Sequence, residues 1–161
     1  MRLLCCSVML VSLCSCNSNE YGDHPPYPAS GKVLINGQPV KGLRVTLFPQ
    51  SFSSERTIMP LGFTREDGSF DLSTYGPNDG APAGDYRVTV YWPAFHRPRQ
   101  KAPDLLADRY SKPESSPLMT HVDKGNNVLK TIEIEIDPDI IKKIESEALN
   151  ESSPTKKPGL P

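Results

Sequence analysis

Three histidines, His24, His96 and His121, are the residues of this 161-residue chain best suited to metal or acid–base chemistry. Their surroundings support neither. His24-Pro-Pro-Tyr27, His96-Arg-Pro-Arg99 and His121-Val-Asp-Lys124 lack the paired histidines and carboxylate at fixed spacing that a zinc hydrolase needs. Oxygen ligands for calcium can be drawn from Asp67, Ser69, Asp71 and Asp79, because alternate residues on a turn present oxygens to a hard cation. Asp-Gly-Ser turns use the same oxygens to close themselves, and the later glutamate of an EF-hand loop is missing, so solvated turns are expected. The densest basic run is His96-Arg97-Pro98-Arg99-Gln100-Lys101, with Tyr91, Trp92, Phe95 and Tyr110 nearby. Cations beside aromatic rings are a common way to grip sugars or protein surfaces. Trp92, His96, Arg97, Arg99 and Lys101 are therefore the candidate binding residues. The competing reading is a solvated loop with Trp92 packed in the core. No residue is assigned to catalysis, to a metal or to a cofactor.

The four cysteines, Cys5, Cys6, Cys14 and Cys16, all lie in the first sixteen residues. After Met1-Arg2 the chain is apolar to Cys14, interrupted only by Ser7 and Ser12. About a dozen apolar residues make a helix of roughly 18 Å, too short for a hydrocarbon core of about 30 Å but sufficient for a secretory signal. Leu13-Cys14-Ser15-Cys16 resembles the bacterial lipobox, with Cys14 where a smaller residue is more usual. That resemblance implies removal of residues 1–15 and acylation of Cys16, palmitate included. Two or three acyl chains hold a protein to a bilayer where one does not. By the same resemblance Asn17, which is not Asp, favours the outer membrane or cell surface. The processed chain would retain one cysteine, which excludes an intramolecular disulfide and a thiolate metal site.

The formal net charge of −1 drops by one more with Arg2, so nothing draws the chain globally toward nucleic acid. Seventeen prolines and eleven glycines argue against a helical bundle. Residues 16–29 read as a tether. From residue 30 the apolar period becomes two. Val33 and Ile35 alternate with Lys32 and Asn36, and Asn36-Gly37 is a turn signal. Leu43, Val45 and Leu47 alternate with Arg44, Thr46 and Phe48. Leu61 and Phe63 before Asp67-Gly68, with Phe70 and Leu72 after it, predict a hairpin. Tyr86, Val88, Val90 and Trp92 share one face, Arg87, Thr89 and Tyr91 the other. Ile132, Ile134 and Ile136 form the cleanest alternation. Strands of this kind need a second sheet to cover their apolar faces, which predicts an all-β sandwich over residues 30–137. Within the Pro-rich stretch 93–127, residues 104–110 predict one helical turn. Residues 118–122 predict a strand paired with the final one through Gly125-Asn126-Asn127. Asp137-Pro138 opens a short helix over 138–149, with Ile140, Ile141, Ile144 and Ala148 on one face, before a disordered tail at 150–161.

Several of these segments resemble bacterial transthyretin-like, or carboxypeptidase regulatory-like, domains. They are Gly31-Lys-Val-Leu-Ile-Asn-Gly-Gln-Pro-Val40, Val45-Thr-Leu-Phe-Pro49, Thr64-Arg-Glu-Asp-Gly-Ser-Phe70 and Gly80-Ala-Pro-Ala-Gly-Asp-Tyr-Arg-Val-Thr-Val90. Arg109-Tyr-Ser-Lys-Pro113, Ser116-Pro-Leu118 and Gly125-Asn126 resemble a subset found in bacterial lipoproteins. The resemblance implies a transthyretin-like (prealbumin-like) sandwich of about seven strands with a short C-terminal helix. It is nearly silent on function. Transthyretin-like hydrolases end in Tyr-Arg-Gly-Ser, which this sequence lacks. An intramolecular isopeptide bond, known in related adhesin domains, would need Lys32 and Asn127, but Lys32 has the outward parity of its strand. The expectation is a non-catalytic, lipid-anchored envelope module with a structural or protein-binding role. The alternative is a carbohydrate- or matrix-binding domain using the 93–117 loop. Partners are then the membrane through Cys16 and an envelope protein or polysaccharide, with no nucleic acid.

Overall fold

A computed structural model describes residues 24–50, 58–97 and 99–152. The expected signal segment, Cys16 and the end of the expected tail lie outside the described residues. In chain order the elements are β1 (Pro26–Tyr27), β2 (Ala29–Ile35), β3 (Gln38–Pro39), β4 (Arg44–Pro49), β5 (Leu61–Phe63), β6 (Ser69–Asp71), β7 (Ala81–Pro82), β8 (Gly84–Tyr91), β9 (Met119–Val122), β10 (Asn127–Val128), β11 (Ile132–Ile134) and α1 (Pro138–Ser152).

Two sheets enclose one core. In the first, β2 is central: β6 and β3 pair antiparallel with it, and β10 and β11 pair parallel to it. The second is antiparallel in the order β5-β4-β8-β9. Val33, Ile35, Phe70 and Ile134 of the first sheet and Val45, Leu47, Val88 and Val90 of the second belong to a single buried cluster. Each is an apolar residue on the inward parity of its strand. Burying a side chain of this size stabilises the fold by about 1.5–3 kcal/mol. The described residues are thus all-β apart from one helix.

Local chemistry sets the corners. Asn36 and Gly37 adopt left-handed backbone (φ 50° and 74°), which turns β2 into β3. The Asn36 side chain then acts as a surrogate peptide. Its Nδ2 donates to Ile136 O and its Oδ1 accepts from Ile136 N, both at 2.9 Å, fastening the segment after β11 to the end of β2. Buried Tyr86 donates its hydroxyl to Pro82 O at 2.7 Å, and burial pushes the phenol up to about 12. Its partner is thereby a corner of backbone just upstream, as in the tyrosine corners of other sandwiches. Asp137 accepts from Asp139 N at 2.9 Å and caps α1, whose Ile140 and Ile141 pack on the core.

The structure departs from the sequence expectation in six places. Strands begin before residue 30, because Pro26–Tyr27 pairs with Ala81–Pro82 and β2 starts at Ala29, so the tether ends earlier. β5 has inverted parity: Gly62 faces inward while Leu61 and Phe63 are exposed. A Cβ on Gly62 would lie 2.5 Å from Asp71 O and 3.2 Å from the Phe70 ring, so Phe70 fills the space there. The Asp67-Gly68 turn forms, but β5 and β6 on its two sides join different sheets. β9 pairs with β8 rather than with the final strand. Residues 104–110 form turns instead of a helical turn, with Ala107 and Asp108 left-handed (φ 54° and 56°). The helix, finally, runs past 149 to Ser152, into the expected tail.

Candidate functional site

The site is built on the outward face of the second sheet. The register sets Arg44 of β4 directly opposite Phe63 of β5 on one side and Tyr91 of β8 on the other. Cross-strand neighbours on one face lie close enough for their side chains to interact. The Arg44 guanidinium accordingly sits 4.9 Å from the Tyr91 ring centroid. Phe63, 56% exposed, completes the row.

The segment after β8 rises over this row and is fastened at its base. Pro93 and Asp104 form a bridge. Ala94 N donates to Pro103 O at 3.0 Å, and Leu105 N to Trp92 O at 2.8 Å. The Tyr91 hydroxyl donates to Ala102 O at 2.6 Å. Asp104 is 6% exposed, and its Oδ1 accepts from the amides of Trp92 (3.0 Å) and Leu106 (3.1 Å). Leu105 and Leu106 are buried beneath. The loop is therefore a closed, anchored unit, of the sort that positions side chains as a rigid element does.

Between loop and sheet lies an open groove of about 740 Å³. Phe63, Tyr91 and Phe95 supply its aromatic surface, and Arg44, Arg97, Lys101 and Lys112 its positive charge, with His96 and the carboxylate of Asp108 at its side. The Arg97 guanidinium lies 5.1 Å from the centroid of Phe95.

Of the sequence candidates, His96, Arg97 and Lys101 line this groove. Arg99 is exposed with left-handed backbone (φ 63°) and is not among the lining residues. Trp92 packs against the core, as its competing reading had it, since it continues the inward face of Val88 and Val90. Arg44, Phe63 and Lys112 were not candidates. Arg44 had a usable signal, the outward parity of β4. Phe63 and Lys112 reach the groove through register and loop path.

Comparison with known protein families and with curated proteins finds no match. The functional reading therefore rests on the chemistry of the groove.

The other candidate chemistries resolve into turn closure. Asp67 Oδ1 accepts from Ser69 N (3.0 Å) and Ser69 Oγ (2.6 Å), and these bonds hold its carboxyl below its usual value. Asp79 accepts from the amides of Thr74, Tyr75 and Gly76, which outweigh the upward push of partial burial. Asp71 pairs with Arg65. Asn127 bonds to Asp123 and Gly125, and Lys32 is exposed. Among the described residues no three His, Cys, Asp or Glu are grouped to hold a metal ion.

His121 lies between two carboxylates, with Nδ1 2.7 Å from Asp85 and Nε2 3.4 Å from Asp123. The hydrogen bond to Asp85 is the main cause that raises its pKa above the ordinary 6.5. This contact supports the fold fully below the unfolded-state value of about 6.5 and is lost as pH rises through the higher folded-state value. An NMR titration should place the His121 midpoint above about 6.5, and Asp85→Asn should bring it down. An unmoved midpoint in that variant would show that Asp85 is not its partner.

Proposed function

We propose that this chain is a non-catalytic, lipid-anchored module of the bacterial cell envelope that binds carbohydrate or matrix polymer in the groove beside the 93–112 loop. Its sheets and Tyr86 corner support a transthyretin-like (prealbumin-like) sandwich of about seven principal strands. The lipobox-like Leu13-Cys14-Ser15-Cys16 supports attachment through an acylated Cys16, on the outer membrane or cell surface. One observation carries the choice of polymer binding over a purely structural or protein-binding role. The cation-rich loop is pinned across an outward sheet face and borders an open, aromatic-lined groove of about 740 Å³.

Glycan-array binding tests this. Binding that is lost in Arg97→Ala/Lys101→Ala, with melting unchanged, is the expected result. Failure of every glycan to bind, together with co-purification of an envelope protein, would assign the domain to the structural or protein-binding role instead. Fatty-acid labelling of the full chain, abolished by Cys16→Ser, tests the anchor separately.

A further inference from the structure

Neutral sugars are gripped by laying their C–H faces on open aromatic faces. In this groove two of the rings are already taken: the guanidinium of Arg44 lies over Tyr91 and that of Arg97 over Phe95. A guanidinium held over a ring still offers its N–H donors to a carboxylate fork. Among the described residues, Arg44, Arg97, Lys101 and Lys112 form no ion pair and no side-chain hydrogen bond. The acid beside them, Asp108, accepts instead from Ser111 Oγ at 3.1 Å. Four cations without an ion pair thus line one groove against the single carboxylate of Asp108, in a chain whose formal net charge is −1. Phe63 at the end of the row leaves an exposed ring beside them.

We infer that the groove selects an acidic polysaccharide, with sugar carboxylates bridging the stacked arginines and the lysines while one sugar ring rests on Phe63. This rests on the carbohydrate reading above and narrows it to one class. The attraction is long-ranged and screened by salt over a Debye length of about 8 Å at physiological ionic strength.

Calorimetry on the lipidated full chain in detergent tests the inference with three probes: polygalacturonate, the same polymer fully methyl-esterified, and polyglutamate. Polygalacturonate should bind, weaken steeply with added salt, and outbind its ester by at least about tenfold, as loss of one charged hydrogen bond implies. Arg44→Gln/Arg97→Gln should lose a similar factor with its melting temperature unchanged, and Lys101→Gln/Lys112→Gln should reproduce the loss. Equal binding of the ester would overturn the acidic class and leave carbohydrate binding standing. Polyglutamate binding as tightly as polygalacturonate would overturn the sugar and leave a general polyanion surface. Binding of neither polysaccharide would overturn the inference, and the carbohydrate reading would then stand or fall on the glycan array.

Discussion

Gly80→Ala should lose about 4 kcal/mol or more of stability, lowering the melting temperature by roughly 10–20 °C. Gly80 has φ +97°, where a side chain is strained. A Cβ there would also enter the carbonyl oxygen of Tyr27 and come within 2.8 Å of Pro28 Cα. These are backbone atoms, so no rotamer change relieves the clash. Relief requires β1 to leave β7, or the bond from Gly80 N to Leu72 O (2.9 Å) to break. Gly37→Ala is the matched control. It has a similar φ of +74° but nothing within 4 Å of the added Cβ, so only the backbone strain of about 1 kcal/mol remains. Urea unfolding of the two variants separates close approach from φ. A Gly80→Ala protein no less stable than Gly37→Ala would refute the packing argument.

The contrast between these glycines shows what a sequence conveys. Asn36-Gly37 announces a turn by residue type alone, because left-handed backbone is a local demand. Gly80 demands its lack of a side chain from Tyr27, a residue on another strand, and no local pattern reveals that. The same division runs through the strands. In β4 and β8 the inward residues Val45, Leu47, Val88 and Val90 are apolar and their neighbours larger or polar, so period two is legible. In β5 the inward residue is Gly62 and the outward ones Leu61 and Phe63, so hydropathy points the wrong way. The choice of β8 as the partner of β9 is also invisible to alternation. Hydrogen-bonded neighbours are chosen by chain path between sheets, here the crossing from Val122 to β10.

The groove divides likewise. His96, Arg97 and Lys101 fall within six residues, and a basic run beside aromatics is visible at once. Arg44 and Phe63 stand far from that run in sequence and meet it because register places both in one row with Tyr91. Trp92 looked like a binding residue because an aromatic beside cations does so on either face of a strand. Parity sends it to the core and Tyr91 to the groove. The turn at residues 104–110 has helical composition, but Asp104 spends its carboxylate on Trp92 N and Leu106 N, which commits the backbone to a loop closure.

That carboxylate decides whether the groove has a wall. Asp104→Ala should cost about 3 kcal/mol, since it leaves two buried amides without an acceptor, each worth about 1–3 kcal/mol. Asp104→Asn should do the opposite at neutral pH. It keeps an oxygen for both amides and removes a charge whose second oxygen, Oδ2, has no hydrogen-bond partner among the described residues. Burial pushes the Asp104 carboxyl above its ordinary range, against the pull of the Trp92 and Leu106 amides. Between the unfolded value of about 3.9 and the raised folded value, the native protein binds more protons than the unfolded chain. Stability from this group is therefore full below about pH 3.9 and is lost as pH rises through the folded value. Asp67 and Asp79, whose pKa values are lowered, act with the opposite sign but cancel when the two proteins are compared. Urea unfolding across pH should show Asp104→Asn gaining on the native chain as pH rises from about 4. A difference that does not change with pH would mean Asp104 titrates alike in both states and that its burial is not what holds the loop. Because Asp104→Asn keeps an oxygen for both amides, it should also keep polymer binding while it gains stability.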